Sequence, residues 1–247
     1  MEKKTGFGGG AATRWLAGMI CLTFWLVISP GMPAWADEKQ DATHLVEKAR
    51  LAFESFVEEN NSGLFHELLP GAVGVFISPQ VLKGGFIFGA SGGNGVLLVR
   101  DKKTGGWSSP AFYTLGGVSF GVQIGGSASE TILLVMTERG ISSFLGHSLK
   151  LGADADMALG SYGAGVAAST ANLSADILSF SRSKGLFGGI AIDGAVVATR
   201  EGLNQAYYGR QVSPADILVL HDVTNPQALG LIEEVSKSTA QKSASTK

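Results

Sequence analysis

The chain has 247 residues, 45% of them hydrophobic and 16% charged, with 19 Lys and Arg against 21 Asp and Glu for a net charge of −2. That balance excludes the broadly cationic surface of a nucleic-acid binder. The 35 glycines do not fall in a collagen period, so at about twice the usual share of roughly 7% they serve turns and close strand contacts.

The first segment reads as a targeting signal. Lys3, Lys4 and Arg14 form a basic region, residues 15–28 carry no charge, Pro30 and Pro33 break the run, and Ala34-Trp35-Ala36 is an A-x-A site. The pattern predicts an exported, periplasmic protein cleaved after Ala36. The rival reading, a retained anchor, is disfavoured because the 14-residue apolar run is shorter than the roughly 20 residues a helix needs to cross a bilayer. Cys21 raises a third reading, lipidation, but Gly18-Met19-Ile20 before it lacks the usual Leu and small residue. Removing Lys3, Lys4, Arg14 and Glu2 leaves 16 bases and 20 acids, a net of −4, over 211 residues without cysteine. Neither a disulfide nor thiol chemistry is then available, and a chain of this length can bury a large core instead.

Residues 43–58 read as an amphipathic helix, with Leu45, Ala49, Ala52, Phe53 and Phe56 on one stripe and Asn60-Asn61-Ser62-Gly63 as its stop. Between Asp37 and Glu59 seven acids face three bases, so this helix is repelled by an anionic membrane rather than drawn to it. From Gly71 the pattern changes to short apolar runs punctuated by glycine. Strands are predicted over 71–78, 85–89, 96–100, 112–115, 118–124 and 131–137, with Ser91 to Gly95 as a hairpin turn and Gly125-Gly126-Ser127 as a joint. A short helix follows over 138–145. Further strands are predicted over 149–155, 163–169, 175–181, 188–192 and 195–199, the last two joined by Asp193-Gly194. Such short connections require mostly antiparallel pairing. Ser213-Pro214 and Asn225-Pro226 open two C-terminal helices, the second over 227–236. The polar stretch 237–247 is expected to be a disordered tail. The fold expected is α+β: a predominantly antiparallel sheet, sandwich or open barrel, with helices at both chain ends, in a single domain over 37–236.

No catalytic constellation is assembled. Gly117-Val118-Ser119-Phe120-Gly121 matches G-x-S-x-G, but a hydrolase nucleophile needs a strand, a sharp elbow and a helix, and Ser119 sits in a strand pattern. His44, His66, His147 and His221 form no metal-type pair, and Asp154 with Asp156 lacks the glycine and distal Glu of a calcium loop. No metal or cofactor is expected, and no enzyme.

Four stretches carry a resemblance: "GVFISPQVLKGGFIFGASGGNGVLLVRD" (74–101), "GWSSPAFYTLGGVSFGVQIGG" (106–126), "KLGADADMALG" (150–160) and "ILSFSRSKGLFGGIAIDGAVV" (177–197), followed by "YYG" at 207–209. In order and texture they resemble the SYLF lipid-binding domain in its exported, bacterial form, over roughly residues 45–210. The resemblance implies a non-enzymatic phospholipid-binding module, with an anionic phospholipid or membrane surface as partner. A protein partner is the alternative, and nucleic acid is not expected. It implies lipid-contact candidates at Lys83 in the first stretch and at Arg182, Lys184, Leu186 and Phe187 in the fourth. Clustered cations beside apolar residues suit an anionic interface. Arg182 has a second reading, pairing with Asp176 or Asp193 to fix the sheet.

Overall fold

The computed structural model describes residues 34–59, 63–85, 88–120, 125–159, 175–185 and 194–240. The predicted strands over 163–169 and 188–192, the predicted apolar run 15–28 and residues 241–247 lie outside them.

Helix α1 spans Ala34–Glu59, nine residues earlier than its apolar stripe alone predicts. Its buried side runs Ala42, Val46, Ala49, Phe53 and Phe56, the i, i+4, i+7 spacing of one helical face. A short α2 (Leu64–Leu68) follows and adds Phe65, whose ring packs edge-on against Phe56 and Phe180 with centroids 5.0 and 5.2 Å away.

Eight strands then build one sheet in the order β5-β8-β3-β2-β1-β4-β7-β6. They are β1 (Gly74–Gly85), β2 (Phe88–Val99), β3 (Ala111–Phe120), β4 (Gly125–Val135), β5 (Ser148–Lys150), β6 (Met157–Leu159), β7 (Ile177–Gly185) and β8 (Val196–Thr199). Every strand pairing is antiparallel except β6 with β7. The expected α+β fold with an antiparallel sheet and terminal helices is therefore the observed one.

The two edge strands, β5 and β6, are consecutive in sequence. Residues 151–156 alone connect them, and Leu151 bridges Ala155 within that link. The sheet therefore curls until its edges meet at one end, making a half-barrel. Both edges are three residues long, which limits the exposed backbone available for unwanted pairing. Inside the curl, Leu149 of β5 and Ile177 of β7 join Phe76, Tyr113, Leu133 and Phe144 in one core. The Tyr113 hydroxyl donates to the Phe144 carbonyl at 2.9 Å. Helices α3 (Glu138–Phe144) and α5 (Pro214–Leu218) close this side. The outer face packs a second core against α1, α2, α4 (Glu201–Tyr208) and α6 (Leu229–Ala240).

Three boundaries differ from expectation, because glycines that read as turns lie within continuous strands. Ser91 to Gly95 is no hairpin turn but the middle of β2, pairing with Gly117 through Tyr113 on β3. Opposite it, β1 bulges between Ile77 and Leu82 around Pro79 and Gln80, a place where proline's missing donor is tolerated. The bulge presses onto β2: a Cβ at Gly93 would lie 2.2 Å from the Gln80 carbonyl oxygen, and one at Gly95 would lie 2.5 Å from the Phe76 ring. Glycine is required here for close approach, not for a turn. Likewise Gly116-Gly117 lies inside one continuous β3, and Gly125-Gly126-Ser127 opens β4 rather than joining two strands.

Ser213 caps α5 in a reciprocal capping box with Asp216, as its sequence implies,. Helix α6 runs on to Ala240, past the predicted end at 236, and buries Ser238 and Thr239. The Trp107 indole donates to the Thr239 hydroxyl at 3.3 Å, which ties down a stretch whose polar composition alone suggests disorder.

Candidate functional site

Arg182 lies on β7 with its side chain 12% exposed. Its cross-strand partner is Glu130 of β4, to which Nε donates at 2.9 Å and Nη2 donates as well. Nη1 forms an ion pair with Glu59 at 2.5 Å, Nη2 also donates to the Ser55 hydroxyl at 3.2 Å, and the guanidinium stands 5.6 Å from the Phe56 ring centroid. Arg182 thus pins the end of α1 onto the sheet. Burial alone would lower its pKa, but the hydrogen bonds it donates to the Glu130 and Glu59 carboxylates more than reverse that. The expected partner Asp176 is taken by Arg139 at 2.6 Å and by the Thr137 hydroxyl at 2.5 Å, and Asp193 lies outside the described residues.

The two predicted contact residues whose side chains are described, Lys83 and Arg182, stand on opposite faces of the sheet. Arg182 shares the outer face with Glu130, whereas Lys83, opposite Ser127 on β4, lies on the inner face. Lys184 occupies the register position opposite Ala128. Leu186 and Phe187 lie outside the described residues.

The outer face has an uncovered portion. Beyond the Glu130–Arg182 pair, cross-strand rows run Val118, Ala90, Gly84, Gly126 and Gly116, Gly92, Leu82, Ala128. Val118 is 93% exposed and Leu82 55%. A Cβ built on Gly84 would meet nothing within 4 Å, and one on Gly92 only a backbone oxygen at 3.7 Å. This flat apolar strip continues into a groove of about 480 Å³ between α1 and the sheet, lined by Lys48, Leu51, Ala52, Pro79 and Ala128. Leu51 is half exposed there. Of the bases on these strands, Arg182 is paired with Glu130 and Glu59, Lys83 lies on the inner face, and Lys184 holds the register position opposite Ala128.

The inner face at the same end is lined with hydroxyls. Thr131 and Ser181 are cross-strand partners whose side-chain oxygens lie 3.0 Å apart. One step on, Ser129 faces Ser183, and Ser127 follows. The hydroxyls of Ser127, Ser129 and Ser183 have no hydrogen-bond partner, although Ser127 and Ser129 are only 7% and 3% exposed. Each such group costs about 1–3 kcal/mol when left unpaired. The alternation Ser127-x-Ser129-x-Thr131 and Ser179-x-Ser181-x-Ser183 is legible in the sequence as a period of two, the signature of one strand face.

Other candidates are structural. Ser119 lies within β3, opposite Gly89. The Asp154 carboxylate accepts from the Lys150 amide at 2.6 Å, and Asp156 pairs with Arg139 at 2.7 Å. His147 stands 3.4 Å from Glu201, and His221 stands 3.2 Å from Asp101. Among the described residues no group of three His, Cys, Asp or Glu is placed to hold a metal ion.

The profile of the Ysc84 family, described as "Las17-binding protein actin regulator", matches residues 116–238. The chain is 30% identical over 165 residues to SH3 domain-containing YSC84-like protein 1 of Bos taurus, covering 66% of this chain and 48% of that protein. It is 30% identical over 181 residues to Protein YSC84 of Saccharomyces cerevisiae, covering 69% and 38%, and 31% identical over 202 residues to an SH3 domain-containing protein of Schizosaccharomyces pombe, covering 77% and 46%. The chain spans about half the length of the curated relatives it matches, or less. The profile match runs from β3 through α6, across the β4 and β7 strands that carry the hydroxyl rows, and the chain belongs to the Ysc84, or SYLF-domain, family.

Proposed function

We propose that the protein is a non-enzymatic module that associates with anionic phospholipid surfaces in the cell envelope, after export and cleavage behind Ala36. The observation that carries this reading is the uncovered sheet end, where Leu82 and Val118 stand exposed on the outer face. An exposed apolar patch rimmed by polar groups marks an interaction surface, and each base near an anionic bilayer contributes about 1 kcal/mol of attraction. The net charge between Asp37 and Glu59 directs the contact to the sheet rather than to the start of α1. Flotation of the purified protein with vesicles of anionic or zwitterionic lipid, at low and high salt, tests it. Binding to the anionic vesicles that weakens with salt is the expected result.

A second reading is favoured by the names of the relatives. The matching profile is described as Las17-binding and actin-regulating, so the same apolar strip could receive a protein. Salt-independent capture without any vesicle binding would favour it.

A further inference from the structure

The inner face of the half-barrel changes character along its length. Near α3 it is filled by Phe76, Tyr113 and Phe144, yet toward the strand ends it carries hydroxyls and one cation. Lys83 stands between Ser91 of β2 and Ser127 of β4, and Ser129 faces Ser183 one step away. Cross-strand partners hold their Cβ atoms about 4.5–5.5 Å apart, so these groups lie within reach of one small ligand. Ser91 is engaged, donating to the Gly117 carbonyl at 3.4 Å. Ser127, Ser129 and Ser183 are not, and a buried polar group without a partner is an exception that calls for an explanation. No Asp or Glu occupies an inner-face position on β1, β2, β3, β4 or β7. Three free hydroxyl donors and an ammonium, with no carboxylate to repel an anion, match the oxygens of a phosphate group.

We infer that this cluster is a phosphate-group site on the inner face of the sheet, with Ser127, Ser129 and Ser183 donating to phosphate oxygens and Lys83 supplying the charge. The inference goes beyond the phospholipid reading, whose contact surface is the outer face; a lipid headgroup is one source of the phosphate. A free phosphate or phosphate monoester is the other.

Calorimetric titration of the purified protein with inorganic phosphate and with glycerol phosphate, beside flotation with phosphatidylglycerol and phosphatidylcholine vesicles, separates the sources. Two variants accompany the wild type: Ser129→Ala with Ser183→Ala, and Lys83→Gln. Each is expected to raise the dissociation constant of the phosphate probe by about tenfold, the effect of losing a charge-assisted hydrogen bond. Because these hydroxyls bond nothing in the fold, the alanine variant keeps or gains melting temperature. Phosphate binding without vesicle binding supports the site and removes the lipid reading. Vesicle binding of equal strength in wild type and both variants, with phosphate affinity also unchanged by the substitutions, supports the lipid reading and overturns the site. No binding of any probe overturns both, and a fall in melting temperature with phosphate affinity unchanged overturns the site by assigning the hydroxyls to the fold.

Discussion

Arg182 and Glu130 face each other on neighbouring strands, with Arg182 Nε 2.9 Å from Glu130 Oε2, and the same guanidinium reaches back to Glu59 on α1. One side chain thereby joins the outer face of the sheet to the helix that covers it. This makes Arg182 a structural residue, although its neighbours in sequence suggest a headgroup contact.

Replacing Arg182 with alanine leaves Glu130 and Glu59 facing each other without the cation. Breaking a fully buried pair costs about 3–5 kcal/mol. Glu130 is 23% and Glu59 50% exposed, so solvent screening reduces this to about 1–2 kcal/mol. A fall in melting temperature of several degrees is expected. A double-mutant cycle with Glu130→Gln should show coupling, and additive effects would contradict the assignment.

Gly93 is held by the bulge opposite. Its substitution by alanine would set a Cβ 2.2 Å from the Gln80 carbonyl oxygen, and the strands must part to admit it. Overpacking of this kind costs about 1–3 kcal/mol. Denaturant midpoints should fall by that amount, while Gly84→Ala, with open space above it, should leave the midpoint nearly unchanged.

These two cases show what the sequence does and does not reveal. The antiparallel sheet, α1 and the Ser213 cap follow from local pattern, whereas β6 does not, being three residues long. Strand boundaries do not, because a glycine needed for close approach looks the same as one needed for a turn, and only the β1 bulge distinguishes them. The partners of Arg182 are equally hidden, since Glu130 lies 52 residues away in sequence. The alternating serines of β4 and β7 are visible, but their lack of partners is a property of the folded sheet alone.

Acid should destabilise the protein in a defined window. The Asp101 carboxylate accepts from the Thr104 and Lys103 amides, which with the Thr104 hydroxyl hold its pKa down to about 2. For Asp176 burial pushes upward, but hydrogen bonds from Arg139 and Thr137 win and its pKa is lowered. A carboxylate whose folded pKa lies below its unfolded value, near 3.9, stabilises the fold above that value. The contribution is lost as pH falls through the folded pKa. Chemical-denaturation midpoints should therefore drop between about pH 4 and pH 2, and Asp101→Asn should flatten part of that slope. An unchanged slope in the variant would contradict the role given to Asp101.

The central claim is that the uncovered end of the sheet meets an anionic lipid surface. Leu82→Ser with Val118→Ser removes its two most exposed apolar side chains, and because both are exposed stability should move by no more than about 0.5 kcal/mol per site. Burial of two such side chains in the interface contributes a few kcal/mol, so affinity for phosphatidylglycerol vesicles should fall by about tenfold or more. Flotation of wild type and double variant side by side is the most direct measurement. The wild type should float and the folded variant should not; equal flotation of both, or flotation of neither, would contradict an anionic-lipid contact at this end of the sheet.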